Sequence, residues 1–187
     1  MMWYVLLIAA VAGERVAELV VSKRNLAWSR TRGGIEFGAA QIGKIVSGRI
    51  KSWTGTIVLD PANLAAARIE IRMDMKSATA GTTDVDQLML GKDFLDVQKT
   101  PEARFVSTAV TSKGGDRYEA RGKLTLRDTT KDVVLPFTLT LRDTQASARG
   151  RIEIKRLDYG VGRGEWASTN VVADEVTIDI AVAASRP

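Results

Sequence analysis

The side chains that could do chemistry in this chain are carboxylates, lysines and arginines, because the sequence contains no cysteine and no histidine. Without a thiol or an imidazole there can be no Cys-His or Ser-His-Asp nucleophile, no sulfur-ligated or His-ligated metal and no His-ligated haem. An enzyme built on this chain would depend on carboxylate or lysine chemistry. We therefore expect a protein that is not an enzyme and that holds no metal or other cofactor.

Two aspartates, Asp93 and Asp96, are the best candidates for an acid–base pair. When two carboxylates lie close together they share a proton, so that one can donate it while the other accepts. Capping of a turn and pairing with Lys92 or Lys99 account for both residues without catalysis, and we favour that interpretation.

Two other motifs could contact a polar group. The segment Gly160-Val161-Gly162-Arg163-Gly164 has closely spaced glycines like those of a phosphate-binding loop, but such a loop requires a following helix, and none is predicted here. A tight bend next to Trp166 explains these glycines better, although Arg163 could meet a pyrophosphate. The hydroxyl-rich run from Ser77 to Asp84 could contact a ligand head group, or it could satisfy loop backbone and cap a short helix, which we favour.

These candidates lie between segments with a clear strand pattern. The segment Arg68-Ile69-Glu70-Ile71-Arg72-Met73-Asp74-Met75 alternates charged and apolar residues, and the same pattern recurs in 117–127, 133–142 and 148–155. Alternation with period two places the apolar side chains on one face of a strand and the charged ones on the other. Because turn residues separate the segments, the sequence predicts an antiparallel sheet with one solvated face, closed as a barrel or strongly curled.

One short helix interrupts this pattern. Asp84 and Asp86 would lie in its first turn, where the helix dipole favours negative charge, and Gly91 would end it. We expect this helix to lie across one end of the sheet.

The formal net charge of +5 does not indicate a nucleic-acid partner. Basic residues are interspersed with acidic ones along the predicted strand faces, and aromatic residues make up only 6% of the chain. A nucleic-acid-binding protein would carry a concentrated basic stripe with aromatic side chains for stacking. We therefore expect no nucleic-acid partner.

Residues 1–32 are predicted to form a separate, apolar and basic helical segment. It opens with an apolar run that no basic residue precedes, which is unlike a secretory signal. A membrane span of about 20 residues would have to include Glu14, Arg15 and Glu18. The segment is predicted to be either a membrane anchor or a defective signal peptide, followed by one domain at 33–187.

Part of this segment carries recognisable motifs. They are Glu14-Arg15, Glu18-Leu19, Ser22-Lys23-Arg24-Asn25, Trp28 and Arg32-Gly33-Gly34. Through them residues 13–38 resemble the early membrane segment of bacterial isoprenylcysteine carboxyl methyltransferase-like proteins. The resemblance ends before any methyl-donor site, so we expect no methyltransferase activity.

A longer series of motifs runs from about Gly34 to the C-terminus. Its main members are Gly55-Thr56-Ile57-Val58-Leu59-Asp60-Pro61, Asp93-Phe94-Leu95-Asp96, Pro101 to Thr108, Gly122 to Lys131, Leu135-Pro136-Phe137 and Arg156 to Gly162 with Glu165-Trp166. In these motifs the chain resembles the YceI-like family of lipocalin-like, polyisoprenoid-binding proteins. The resemblance implies an all-β fold, an eight-stranded antiparallel lipocalin-like β-barrel with a short helix, here preceded by the apolar N-terminal helix.

The chain departs from the family pattern at one point. The resemblance also implies where the protein is located in the cell. Family members usually open with a strand that ends in a His-Ser pair before the residue matched by Phe37, and neither the His nor that strand is recognisable here. Proteins of the family are usually exported and often dimeric. We therefore expect a periplasmic or secreted protein, anchored in the membrane if residues 1–32 are retained, and a homodimer.

A set of inward-facing apolar residues is the predicted ligand-binding site. These residues are Phe37, Ile57, Ile71, Met73, Leu88, Phe94, Phe105, Leu126, Phe137 and Trp166. Their pattern fits a dry core as well as a lined tunnel, and the family resemblance favours the tunnel. The expected function is binding or transport of a polyisoprenoid or related long-chain lipid, for example a quinone side chain. The alternative is a membrane-tethered structural or stress-related barrel with a packed core and no ligand.

Overall fold

The computed structural model describes residues 5–10, 18–19, 28–29, 31–41, 44–142 and 145–185. The strands in this part of the chain are β1 (Val5–Ala10), β2 (Glu18–Leu19), β3 (Trp28–Ser29), β4 (Thr31–Gln41), β5 (Lys44–Ile50), β6 (Trp53–Leu59), β7 (Arg68–Asp74), β8 (Ala78–Thr79), β9 (Glu102–Gly114), β10 (Arg117–Leu126), β11 (Thr129–Arg142), β12 (Gln145–Lys155) and β13 (Val172–Ser185). The α-helix is α1 (Thr83–Leu90), and short 3₁₀ turns cover Leu64–Ala66, Met75–Ser77, Arg156–Tyr159 and Gly164–Ala167.

One antiparallel sheet contains all of these strands except β2 and β3, which pair with each other. Its order is β1-β6-β7-β9-β10-β11-β12-β13-β4-β5-β8. Strands β9 to β13 lie side by side in chain order, as expected for a chain of antiparallel neighbours. The predicted all-β, antiparallel, curled sheet with one short helix is confirmed.

The sheet bends sharply where β5 leads into β6 and where β7 leads into β8. We call this bend the corner. Only residues 51 and 52 separate β5 from β6, and only the turn Met75–Ser77 separates β7 from β8. Strand β6 pairs with β7, and β5 pairs with β8. At the corner the Asp74 amide donates to the Ser52 carbonyl at 2.9 Å, and the Ser52 amide donates to the Ser77 hydroxyl at 2.8 Å. Pairing therefore continues from β4 through this corner to β9.

The alternating segments place their side chains as the pattern predicts. In β7, Ile69 and Met73 are buried, while Glu70 and Arg72 lie on the outer face. Glu70 accepts ion pairs from Arg72 and Arg104, each at 2.9 Å. Such pairs on a solvated face add little stability. The fold is held mainly by the apolar inner face.

The predicted N-terminal helix is wrong where the structure describes it. Val5–Ala10 form β1, which pairs antiparallel with β6 along its length, and the pairs Glu18–Leu19 and Trp28–Ser29 form a small ladder. An apolar run without alternation suits a buried strand as well as a helix, and here it covers an edge of β6. The other residues of 1–30, and the membrane-anchor or signal-peptide prediction made from them, lie outside the described residues. Among the described residues, no helix is long and apolar enough to cross a membrane.

The chain before Phe37 is a strand, although its sequence lacks the family's usual motif. Strand β4 begins at Thr31 and pairs with β13 on one side and β5 on the other. Pairing uses backbone amides and carbonyls, so the missing histidine does not prevent it.

Gly122 in β10 is predicted to be a position where a side chain is not tolerated. A Cβ there would lie 2.7 Å from the ring of Phe105 and would also collide with the Val106 carbonyl oxygen. We expect Gly122→Ala to lower the free energy of unfolding by about 2 kcal/mol, because backbone cannot move aside cheaply. Gly34→Ala is the control, since a Cβ there meets nothing within 4 Å. Its effect in chemical denaturation should stay within about 0.5 kcal/mol, and equal losses in both variants would contradict the prediction.

Candidate functional site

The inner face of the curled sheet encloses two apolar cavities. The hairpin cavity reaches Leu141 and Ala146, on either side of the β11–β12 connection, and has a volume of about 130 Å³. The helix cavity lies under α1, where Val85, Leu88 and Met89 line it, and has a volume of about 200 Å³. Nearly all side chains that line the two cavities are apolar.

The two cavities meet at four side chains that line both of them. We call this set the collar; it consists of Ile35, Met73, Leu124 and Ile178. They belong to β4, β7, β10 and β13, so residues far apart in sequence meet inside the sheet. The collar is the boundary between the hairpin cavity and the helix cavity.

The structure places every predicted binding residue against one of these cavities. Ile57, Ile71, Phe105 and Phe137 line the hairpin cavity, Phe37, Leu88, Phe94, Leu126 and Trp166 line the helix cavity, and Met73 lines both. Leu88 remains 41% exposed, so it borders the opening beside α1. Whether these residues bind a ligand stays a prediction.

Strand β13 supplies lining residues that the predicted site did not include. Ile178 and Ile180 line the hairpin cavity together with Val182, and Ile178 also belongs to the collar. The signal was present in the sequence, because these residues alternate with Thr177, Asp179 and Ala181. This alternation places them on the inner face of the sheet in the same way as in the other strands.

Helix α1 covers the helix cavity and is tied to the sheet at its N-terminal end. The carboxylate of Asp86 accepts hydrogen bonds from the Thr79 hydroxyl and the Ala80 amide, each at 2.6 Å. The hydrogen bond from Thr79, followed by that from Ala80, lowers the pKa of Asp86. The Ser77 hydroxyl donates to the Asp74 carbonyl at 2.6 Å. Two hydroxyls of the run from Ser77 to Asp84 therefore satisfy local groups, as the favoured interpretation expected. The expected helix cap is wrong, because Thr82 precedes the helix and makes no side-chain capping hydrogen bond.

The two candidate acid–base aspartates have structural contacts. The Asp93 carbonyl accepts from the amides of Gly162 and Arg163 at 2.7 and 2.8 Å. The carboxylate of Asp96 lies 3.4 Å from Arg127, whereas Lys99 lies beside Asp128 instead. The expected lysine partner of Asp96 is therefore wrong. Within the described ranges, no group of three or more acidic side chains is placed to hold a metal ion.

Arg127 fixes the segment that carries Phe94. Its side chain is only 5% exposed, and its Nη1 donates to the carbonyls of Lys92 and Phe94 while Nη2 lies 3.4 Å from Asp96. The ring of Phe94 packs against Trp166 at a centroid distance of 5.5 Å. A buried cation thus positions two aromatic rings that line the helix cavity.

Arg156 lines the helix cavity and connects the glycine-rich segment that follows it to the start of β13. It is 2% exposed, and its guanidinium donates to four carbonyls, those of Val161, Gly162, Val172 and Ala173, at 2.8–3.2 Å. Burial lowers the pKa of Arg156. The carbonyl oxygens replace the water that this charge loses.

The glycine-rich segment after Arg156 forms a bend. Gly160 and Gly162 have φ values of 65° and 78°, in the left-handed region that glycine adopts readily. A Cβ on Gly162 would also collide with the Arg156 guanidinium. The bend next to Trp166 therefore explains these glycines, in agreement with the favoured interpretation.

Comparison with known protein families agrees with this geometry. A family described as the YceI-like domain matches residues 27–184. The chain belongs to the YceI-like family. A UPF0312 protein of Pseudomonas savastanoi pv. phaseolicola is 37% identical over 105 residues, which cover 56% of this chain and 55% of that protein. A UPF0312 protein of Vibrio cholerae is 34% identical over 90 residues and 48% of each chain. The chain thus spans about half the length of these curated relatives.

Solved structures share this YceI-like fold. BcnA of Burkholderia cenocepacia has 31% sequence identity and a TM-score of 0.80, over 82% of this chain and 96% of BcnA. The YceI protein of Campylobacter jejuni has 21% identity and a TM-score of 0.69, over 79% and 88%. A polyisoprenoid-binding domain of Saccharophagus degradans, implicated in plant cell wall breakdown, has 14% identity and a TM-score of 0.65, over 83% and 94%. The last two establish a shared fold alone.

Arg127 is expected to stabilise the helix-cavity end of this YceI-like domain. Arg127→Met removes its hydrogen bonds and leaves the Lys92 and Phe94 carbonyls without that donor, which should cost about 3 kcal/mol in chemical denaturation. Arg121→Met is the matched control, because Arg121 is 64% exposed and its side chain pairs with Glu119 alone. That variant should change stability by less than about 0.5 kcal/mol. A similar small effect for Arg127→Met would show that the contacts do not hold the segment.

The buried phenol of Tyr159 is expected to make the folded protein less stable at alkaline pH. It is 2% exposed, and burial, followed by the negative charge of Asp158, raises its pKa from 10.0 to about 12. The folded protein holds this proton more tightly than the unfolded chain does, so the contribution is complete below pH 10.0 and is lost as pH rises to about 12. Denaturation at several alkaline pH values measures it, with Tyr159→Phe as the control that lacks this proton. The same alkaline slope in both proteins would contradict the assignment.

Proposed function

We propose that this protein is a non-enzymatic binder that encloses a polyisoprenoid or related long-chain lipid, such as the side chain of a quinone. The observation that carries the proposal is an apolar interior in which all the predicted binding residues border two cavities that meet at the collar. Membership of the YceI-like family, whose fold is that of binding proteins, supports lipid or isoprenoid binding at the family level. One structural neighbour is named for polyisoprenoid binding.

The proposal includes a closed, eight-stranded barrel around the ligand. If β5 with β6 and β7 with β8 each count as one bent strand, the pairings form a circuit of β4, β5/β6, β7/β8, β9, β10, β11, β12 and β13. A barrel of about this strand number has an interior wide enough for side chains or for one slender ligand. The strand pairing therefore supports an enclosed interior.

The interior needs few polar contacts to bind such a ligand. Burial of one CH₂ group contributes about 0.8 kcal/mol, whereas micromolar affinity corresponds to about 8 kcal/mol. An isoprenoid chain supplies enough carbon atoms to reach this value and offset the cost of ordering. No catalytic group is required.

The alternative is a structural or stress-related domain with a packed core. Interiors of folded proteins usually pack closely, and the two adjoining cavities therefore favour a binder. Location in the periplasm or outside the cell, transport of the lipid and homodimer formation remain predictions of the family resemblance. Attachment to the membrane remains a prediction from residues 1–32.

A charge inside the cavities is expected to abolish lipid binding. Phe105→Asp and Met73→Asp would each place a carboxylate among apolar side chains, where it cannot be solvated. Native mass spectrometry of the full-length chain, followed by organic extraction, should show a polyprenyl compound with the wild type and none with these variants. Phe137→Asp is the second choice if the buried positions do not tolerate the change, because Phe137 is only half-buried.

The control introduces an aspartate on the outer face of the sheet instead. Val134 is 46% exposed on β11, so Val134→Asp should retain the lipid. Unchanged binding in a folded Phe105→Asp variant would overturn the proposed site. A wild-type protein that stays empty after incubation with polyprenyl lipids would favour the packed-core alternative.

A further inference from the structure

We propose that the collar sets the length of apolar chain that this protein accepts, with Met73 as the residue that determines this specificity. The inference rests on the proposed function, and it adds a distinction between short and long prenyl chains. It follows from the division of the interior into two cavities rather than from the apolar lining alone.

The collar side chains approach the interior from different sides. In the ladder between β4 and β13, Ile35 pairs with Ile180 and Phe37 pairs with Ile178, so Ile35 and Ile178 are diagonal neighbours on one side of the interior. Met73 on β7 and Leu124 on β10 come from other parts of the curled sheet. The four side chains therefore surround the passage between the cavities instead of lying along one wall.

Three of the collar side chains are buried. Ile35, Met73 and Leu124 are 3%, 8% and 7% exposed, whereas Ile178 is half-buried. Because the four side chains stand where the two cavities meet, a prenyl chain that extends from one cavity into the other must pass between them and displace the most adaptable of them.

Met73 is the collar residue with the most freedom to move. Ile35 and Ile178 are β-branched and stiff at χ1, whereas methionine is unbranched and adapts its shape to irregular spaces. The neighbours of Met73 across the ladder are Trp53 on β6 and Ala103 on β9. Trp53 lines the hairpin cavity and Ala103 the helix cavity, so the bulkier neighbour of Met73 lies on the hairpin side and the smaller one on the helix side.

The volumes of the two cavities limit the length of prenyl chain that each can hold. Their volumes of about 130 and 200 Å³ both fall below the ~300 Å³ at which sites for drug-sized ligands begin. A short prenyl chain can occupy one cavity with the collar closed. A long chain must displace Met73 and occupy both.

The test compares two methionines that differ in their relation to the collar. Met73 belongs to it, whereas Met75 is equally buried, at 6% exposed, and lines only the helix cavity. Each is changed to phenylalanine, and binding of the short prenol geraniol and the longer prenol geranylgeraniol is measured by native mass spectrometry. Thermal unfolding of each variant checks that it is folded.

The expected result is a change in selectivity. Met73→Phe should weaken geranylgeraniol binding by about tenfold and geraniol binding by less than about threefold, because a bulkier collar blocks passage but leaves the helix cavity nearly intact. Met75→Phe should weaken both prenols to a similar extent. If Met73→Phe does not fold, Ile178→Phe is the second variant, since Ile178 is only half-buried.

Two results would overturn the inference, and they are distinguishable. Equal losses for both prenols in folded Met73→Phe, or in Ile178→Phe, would show that the collar does not measure chain length, while the proposed function would stand. Failure of the wild-type protein to bind either prenol would overturn the proposed function and this inference with it.

Discussion

A sheet that is apolar on one face must cover that face, and in this protein the sheet covers itself. The single α-helix of the described residues, α1, has no fully buried side chain, so it cannot serve as a second layer. The sheet instead curls until apolar residues of β7, β10 and β13 meet around its interior. Strong curvature in turn requires the corner at which β5 bends into β6 beside β7 and β8. The cavities lie inside this curl and are lined by the apolar face of the sheet.

The end of the sheet nearest α1 is organised by two buried arginines rather than by apolar packing alone. Arg127 and Arg156 each donate to backbone carbonyls of loops that no strand can satisfy. Buried charges of this kind are costly to desolvate, and they stabilise the fold only because backbone carbonyls satisfy their hydrogen bonds. What they add is geometry, since they hold Phe94 and Trp166 in contact at the rim of the helix cavity. These two buried arginines thus shape an apolar site.

The fold by itself does not establish an activity, because one architecture can host many functions. BcnA and the YceI protein of Campylobacter jejuni share the curled sheet, but what a member holds depends on the side chains inside it. In this chain the informative features are the nearly uniform apolar lining and the division by the collar. Both are properties of side-chain positions, and both support the proposed lipid binding.

Much of this arrangement could be predicted from the sequence. Alternation in segments such as Arg68 to Met75 is a local property of extended backbone, so it identified strands, their inner faces and the residues that line the cavities. Turn residues and Gly91 placed the short helix for the same local reason. The N-terminal apolar run carried no alternation, and its strand conformation depends on pairing with β6, which lies far away in the chain.

Only the tertiary structure decided how these faces meet. Alternation shows that Met73 points inward, but not that it faces Ile35, Leu124 and Ile178, which come from separate strands. It also does not show that Arg127 and Arg156 are buried, since charged residues usually lie on the surface. The direction of a side chain is set by the local backbone angles. The partners that the side chain meets are set by the curvature of the sheet and by the register of strands that are distant in sequence. The sequence therefore determined which residues line the interior, and the curl of the sheet decided that the interior holds two cavities joined at a collar.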